Sequence, residues 1–310
     1  MISYFKNINN RLVQIDALEI GCWVNVINPT PEELNELREK LPFSDEYLND
    51  PLDVDEKARV ERDEDVLFVL IKIPHFQGKK DEAPFVTIPL GVVMNNHYFI
   101  TIAKEDNVVV QEFENNRVKN LNTSKHNRFL LLFLYKIAAK YLMHLREINK
   151  TVDQIEDDLQ ISMRNQDISE LLKYQKVLVY YTTALKSNEL MLARLNRLQI
   201  LHTYEEDEEL LQDVITEFQQ AIEMTNIANN ILLQMTSAYA SIINNNMNKI
   251  IKTLTLITIV LYVPTLIASI FGMNVPLPGS NNPDSYLVII GISLLLSSLM
   301  LVVFLRRKWF

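Results

Sequence analysis

Apolar positions along this chain change their spacing twice, and each change marks a different kind of element. Up to about Phe113 the apolar runs are short and alternating, so Leu12–Ile15, Cys22–Ile27, Val66–Ile73, Phe85–Met94 and Tyr98–Ala103 read as strands. Asn95-Asn96 predicts a hairpin turn between the last two. One helix is expected among them, opened by Thr30-Pro31-Glu32-Glu33: Thr30 caps, Pro31 takes the first helical position, and Glu33 closes a capping box. These elements predict an α/β domain over residues 1–123. From about Ser124 to Phe271 helix formers dominate, and Pro is absent between Pro89 and Pro264. Breaks at Arg164-Asn165-Gln166-Asp167 and at Leu201–Glu206 divide this stretch into helices near 124–163, 168–200 and 207–271, the first two forming a helical hairpin within 124–206. The third would be 65 residues, or about 98 Å at the α-helical rise. No Gly or Pro separates its acidic start from its apolar end, so stalk and membrane helix are expected to be one rigid element.

The final sixty residues hold two long apolar runs. Ile250–Phe271 is 22 residues with one charge, Lys252, and Tyr286–Leu305 is 20 residues with none. Each is long enough to cross a hydrocarbon core of about 30 Å. Lys249 and Lys252 precede the pair, Arg306, Arg307 and Lys308 follow it within the tail 306–310, and the loop 272–285 holds only Asp284. The positive-inside rule then predicts a multi-pass protein of the cell membrane with both termini cytoplasmic and the loop outside. Met1–Asn10 has no apolar core of signal-peptide length, so the bulk of the chain is expected in the cytosol.

Charge and chemistry narrow the function classes. The chain carries a formal net charge of −9, but residues 1–248 hold 25 basic against 38 acidic side chains, a local balance of −13. Such a body disfavours nucleic acid and suits divalent cations, although acidity for solubility alone would look the same. Cys22 is the only cysteine, which excludes an intrachain disulfide or a thiolate metal centre. His75, His97, His126, His144 and His202 lack metal-ligand spacing, and neither a Gly-rich phosphate loop nor a nucleophile motif is present. No enzymatic activity and no organic cofactor are expected.

A polar stripe runs through the first apolar segment. On a helix Asn248, Ile251, Thr258, Tyr262, Thr265 and Ser269 fall on one face, with Leu254 and Thr255 beside it. Lipid cannot satisfy hydroxyls, so such a face is expected to meet protein or water. Thr and Ser can bond back to their own helix or glue neighbouring helices; a stripe of this length, continuing into Asn248, favours a water-lined pore. Above it come Gly272, suited to end the helix in a left-handed conformation, and Asn274, whose amide is neutral but strongly dipolar. Neither apolar run contains a carboxylate. A ring of amide oxygens that hydrogen-bonds a hydration shell suits Mg²⁺, which surrenders water reluctantly, better than a charged cage does. Two spans cannot enclose a pore, so symmetric self-association is expected.

The stretch from Tyr239 to Leu254, including Asn244-Asn245-Asn246-Met247-Asn248-Lys249, then Pro264-Thr265 and Gly272-Met273-Asn274, resembles the CorA family of magnesium channels. The likeness is sharpest from Asp207 to Phe310; Trp23-Val24-Asn25-Val26 and Pro29-Thr30-Pro31-Glu32-Glu33 agree in texture. The resemblance implies a homopentamer in the lipid bilayer, each subunit giving one stalk helix that continues as the pore helix, with an outer second span. It assigns ion selectivity to Gly272, Met273 and Asn274, pore lining to Asn248, Ile251, Leu254, Thr258, Tyr262, Thr265 and Ser269, and a hydrophobic constriction to Ile251 and Leu254. It further implies closure by cytoplasmic Mg²⁺ held between neighbouring subunits, with Asp213 as the stalk acid and Asp81 or Glu82 as its partner across the interface.

Two departures bear on ion choice. The outer loop reads Val275-Pro276-Leu277-Pro278-Gly279 where many members carry an acidic segment, leaving Asp284 as its only acid, and Tyr262 is bulkier than the Met of some members. Transport of Co²⁺, Ni²⁺ or Zn²⁺ is the alternative within the same fold, with Met273 favouring Mg²⁺. A membrane-anchored coiled-coil scaffold or sensor without a pore is the alternative outside it.

Overall fold

A computed structural model describes residues 1–8, 11–41, 43–78, 81–118, 121–161, 165–198, 204–275 and 284–306. It divides into two compact units, Met1–Gln234 and Met235–Phe310.

The first unit is built on a seven-stranded sheet. Its strands are β1 (Ile2–Ile8), β2 (Arg11–Ile15), β3 (Trp23–Ile27), β4 (Arg59–Asp63), β5 (Val66–Phe76), β6 (Phe85–Met94) and β7 (Phe99–Ala103). They lie in the order β2-β1-β3-β7-β6-β5-β4, with β3 and β7 parallel and every other pair antiparallel. The five strands expected from alternation are present. β1 and β4 are additional: β1 pairs on both sides, with β2 and β3, and β4 is an edge strand rich in polar residues held by β5.

Both faces of the central strands are covered, which is why β3 and β7 read as nearly continuous apolar runs. On one face Cys22, Val24, Val26, Phe68, Leu70, Ile100 and Ile102 pack with Leu37 of α1 (Pro31–Lys40) and Tyr47 and Leu48 of α2 (Asp45–Asn49). α1 starts as its sequence demands: Thr30 Oγ1 accepts the Glu33 N–H at 3.3 Å and Glu33 Oε2 accepts the Thr30 N–H at 2.9 Å. On the other face Trp23, Phe99, Phe113, Phe129 and Phe133 form one aromatic cluster, with the Phe113 and Phe133 rings stacked at 3.9 Å. Phe113 belongs to α3 (Val108–Glu114), and Phe129 and Phe133 to α4 (His126–Ile161). The turn between β6 and β7 spans four residues, and Asn95 Oδ1 closes it by accepting the N–H groups of His97 and Tyr98, each at 2.9 Å. Gly91 in β6 is required by packing, because a Cβ there would lie 2.2 Å from Cγ of Pro51.

Two long helices, α4 and α5 (Asn165–Arg197), cover this unit. α5 begins at Asn165, within the break expected at 164–167, and residues 162–164 lie outside those described. Likewise α6 (Glu205–Phe271) starts two residues before the expected 207, so Glu205 and Glu206 open the helix, where carboxylates suit its positive end. Residues 201–203 of that break, His202 among them, lie outside those described.

Buried polar groups join these layers. Asn188 of α5 is fully buried; its amide donates to the Lys72 carbonyl at 2.8 Å and accepts the Lys72 N–H at 3.0 Å. Tyr141 also donates to that carbonyl, at 3.0 Å. Replacing Asn188 with Leu therefore strands chiefly the Lys72 N–H. The expected outcome is a loss of roughly 1–3 kcal/mol, read from denaturant unfolding of the detergent-solubilised protein.

His144 of α4 is buried beside Phe85 and shares a 2.8 Å hydrogen bond between Nδ1 and the Tyr181 hydroxyl. Burial, aided by Lys140 and His75, lowers its pKa to about 4 from 6.5. The unfolded chain takes up this proton at higher pH than the folded one does. Stability from His144 is therefore complete above about pH 6.5 and declines down to about pH 4, by of order 3 kcal/mol. His144→Gln keeps a partner for Tyr181 and cannot titrate. The difference between the two melting-versus-pH curves should open only within that window.

Candidate functional site

The second unit contains the outer part of α6 and the helix α7 (Ser285–Arg306). These are the two helices long and apolar enough to cross a membrane among the described residues, with windows of mean hydropathy 2.2 and 2.8. None of the α6 window and only 11% of the α7 window is buried, so neither is the core helix of a soluble domain. Tail residues 307–310 and loop residues 276–283 lie outside those described, so the expectations about the basic tail and most of the outer loop fall there.

The two sides of α6 differ. Thr253, Leu256, Ile259, Val260, Val263, Pro264 and Ile267 are half-buried, and their spacing of three to four puts them on one side. α7 meets that side: Ser297 Oγ donates to the Val260 carbonyl at 3.2 Å, and Ser293 and Ser297 are each only 7% exposed. Small residues one turn apart let two helices approach closely. All seven predicted pore-lining residues, Asn248, Ile251, Leu254, Thr258, Tyr262, Thr265 and Ser269, are exposed on the opposite side. The stripe therefore shares one face, and α7 does not cover it.

Its hydroxyls behave in the way a helix in apolar surroundings requires. Thr258 Oγ1 donates to the Leu254 carbonyl and Thr265 Oγ1 to the Leu261 carbonyl, both at 2.9 Å. Back-bonding and pore lining, posed as alternatives, are compatible on this geometry. Once the hydroxyl proton is used on the backbone, the oxygen keeps lone pairs that can only accept. A hydrated cation presents water O–H groups outward, which are donors. A face of acceptors, with Leu254 and Ile251 at 63% and 52% exposure as its apolar portion, matches such a species.

The helix ends differently from expectation. Gly272 is not among the glycines with positive φ, which are Gly21 and Gly78. Its N–H instead bonds the Ala268 carbonyl at 2.9 Å, and the Met273 N–H bonds the Ile270 carbonyl at 3.3 Å. The helix thus unwinds by tightening its last turn, and a left-handed cap is unnecessary. Met273 and Asn274 follow, both exposed.

The expected regulatory acids lie in the first unit, and the site they were expected to form joins neighbouring subunits. Asp213 is exposed on α6 between buried Leu211 and Val214, whereas Asp81 and Glu82 lie in the β5–β6 connection. Glu82 pairs with Lys176 at 2.6 Å, which lowers its pKa. Among the described residues no cluster of three or more His, Cys, Asp or Glu side chains could hold a metal. A polar cleft of about 800 Å³ in the first unit, near the starts of α4 and α6, mixes charges of both signs, with Arg128 paired to Glu206 at 3.2 Å and to Asp207 at 3.0 Å. The side chain the sequence reading missed is Ser297; its signal was Ser293 and Ser297 spaced by four in a span whose other serine is Ser298.

Comparison with known proteins covers the same elements. The cobalt/magnesium transport protein CorA of Methanocaldococcus jannaschii is 29% identical over 297 residues, 93% of this chain and 90% of that protein. The magnesium transport protein CorA of Helicobacter pylori is 26% identical over 275 residues, 81% of this chain and 79% of that protein. The complete structure of the CorA magnesium transporter from M. jannaschii superposes with a TM-score of 0.87 at 25% identity, covering 100% of this chain and 99% of that one. The full-length CmaX protein shares the fold alone, with a TM-score of 0.74 at 16% identity over 99% of this chain and 97% of that one. A family model described as CorA-like Mg2+ transporter protein matches residues 19–307, from just before β3 through both apolar helices, and the chain belongs to that family.

Proposed function

We propose that the chain forms a membrane channel for potential-driven influx of hydrated Mg²⁺. The observation that carries this reading is the acceptor-bearing stripe of α6, opposite the face that α7 meets and ending at Gly272-Met273-Asn274. Family membership supports it, as do the magnesium and cobalt named for the relatives. A single α6 offers one wall, so a working pathway needs several copies around an axis. A homopentamer in the bilayer, as the family resemblance implies, puts five such stripes around one pore. Asn274 would form the outer ring that receives the hydrated ion, Thr265, Ser269, Tyr262 and Thr258 the polar wall, Leu254 and Ile251 an apolar neck that gates by dewetting, and Asn248 the inner mouth. Both termini then face the cytoplasm. Influx needs no ATP: an inside-negative potential of 100 mV favours a divalent ion by about 4.6 kcal/mol.

Feedback belongs to the same proposal. Mg²⁺ bound between Asp213 of one subunit and Asp81 or Glu82 of the next offsets the repulsion between acidic bodies and holds the ring closed. Glu82 reaches such a site only by leaving Lys176, so Asp81 is the better placed partner.

In proteoliposomes with an imposed inside-negative potential, wild type should take up Mg²⁺ in proportion to the potential, and Asn274→Ala should reduce uptake at least tenfold or abolish discrimination among Mg²⁺, Co²⁺, Ni²⁺ and Zn²⁺. Absence of wild-type uptake at both low and high cytoplasmic-side Mg²⁺ would favour the poreless scaffold. Asp213→Asn should leave uptake at low cytoplasmic Mg²⁺ intact and shift half-inhibition to several-fold higher Mg²⁺; an unchanged inhibition curve would remove Asp213 from the regulatory site.

A further inference from the structure

Pro264 lies within α6 and has no N–H, so the carbonyl of Val260 loses the donor that a regular helix would supply four residues on. In an apolar setting a backbone carbonyl without a partner is strongly disfavoured. The donor comes from the other helix: Ser297 Oγ of α7 bonds that carbonyl at 3.2 Å and is almost wholly buried. Ser293, one turn earlier on the same face and equally buried, does what a helical serine ordinarily does and donates to its own helix, at the Ile289 carbonyl, 2.7 Å away. Two serines in matched surroundings thus differ in where the hydroxyl points. The difference falls at the level where Pro264 leaves the Val260 carbonyl without its helical donor.

We infer that Ser297 is a positioning residue for the ion pathway, closing the backbone of α6 at the Pro264 break and so fixing the direction in which its outer segment continues. A proline break leaves a helix free to bend about that point, and a tether to a second helix removes much of this freedom. The outer segment carries Thr265, Ser269 and Asn274, and the inner one Thr258 and Tyr262. Their shared alignment on one face depends on the bend angle, although Ser297 itself lies on the far side from the stripe. The inference rests on the channel reading of α6.

The test is a double-mutant cycle in the full-length protein, Ser297→Ala, Pro264→Ala and both together, with Ser297→Thr as the conservative variant. Each is read by melting midpoint in detergent and by Mg²⁺ influx into proteoliposomes. Ser297→Ala should lower the midpoint by about 2–4 °C and slow influx several-fold, and Ser297→Thr should recover both. With Pro264→Ala in place the helix supplies its own N–H to Val260, so adding Ser297→Ala should change neither readout. An equal midpoint loss with and without Pro264 would mean that Ser297 merely packs, and would overturn the inference. A midpoint coupled to Pro264 with influx unchanged would also overturn it, provided that Asn274→Ala still impairs influx. A wild type without influx would overturn the channel reading and the positioning role with it; the melting cycle, which needs no pore, separates that failure from failure of the hydrogen bond.

Discussion

Satisfying the backbone where water is absent is the constraint on which both units of this protein depend. A buried N–H or C=O without a partner costs as much as several good packing contacts gain. In the first unit the requirement appears where the sheet meets α5, and Asn188 supplies both a donor and an acceptor to Lys72. In the second it appears at Pro264, where Ser297 supplies the donor that the ring nitrogen cannot. In each place a single polar side chain, buried among apolar neighbours, joins two elements that hydrophobic contact alone would leave free to slide.

The same constraint gives the exposed face of α6 its character. The threonines there direct their protons to the carbonyl one turn back, as Thr255, Thr258 and Thr265 do. What these threonines leave outward is oxygen that can accept but not donate. A bare divalent ion would need the anionic ligands that the apolar run of this helix lacks, whereas an ion wearing its water presents donors to these oxygens. The face α7 meets and the exposed face are divided by the spacing of residues around the helix.

In the first unit a sheet buried on both faces makes a stiff platform. Its aromatic side is keyed by one polar chain: Trp23 donates to Thr101 at 2.8 Å, Thr101 to Asn25 at 2.9 Å, and Asn25 to Glu114 at 2.8 Å. Burial raises the Glu114 pKa and the Asn25 amide opposes that rise. Every polar atom named in this chain has a partner, which is the condition under which buried polarity fixes one packing instead of weakening it.

Sequence alone determined the features that rest on local periodicity and composition. The α1 capping box, the long helices, the two apolar spans and the shared face of Asn248, Thr258, Tyr262 and Thr265 follow from spacing, because helix geometry fixes which residues are neighbours on one element. Gly272-Met273-Asn274 was legible as a motif. Features that depend on pairing between distant segments were not. β1 and β4 are strands because partners supply their hydrogen bonds, α6 starts two residues earlier than expected because Glu205 and Glu206 suit a helix start, and Gly272 ends its helix without a left-handed turn. Ser297 looked like one more small residue in an apolar span. Only the tertiary structure set it against the carbonyl that Pro264 leaves open, because a hydrogen bond across 37 positions of sequence is decided by which helix faces meet.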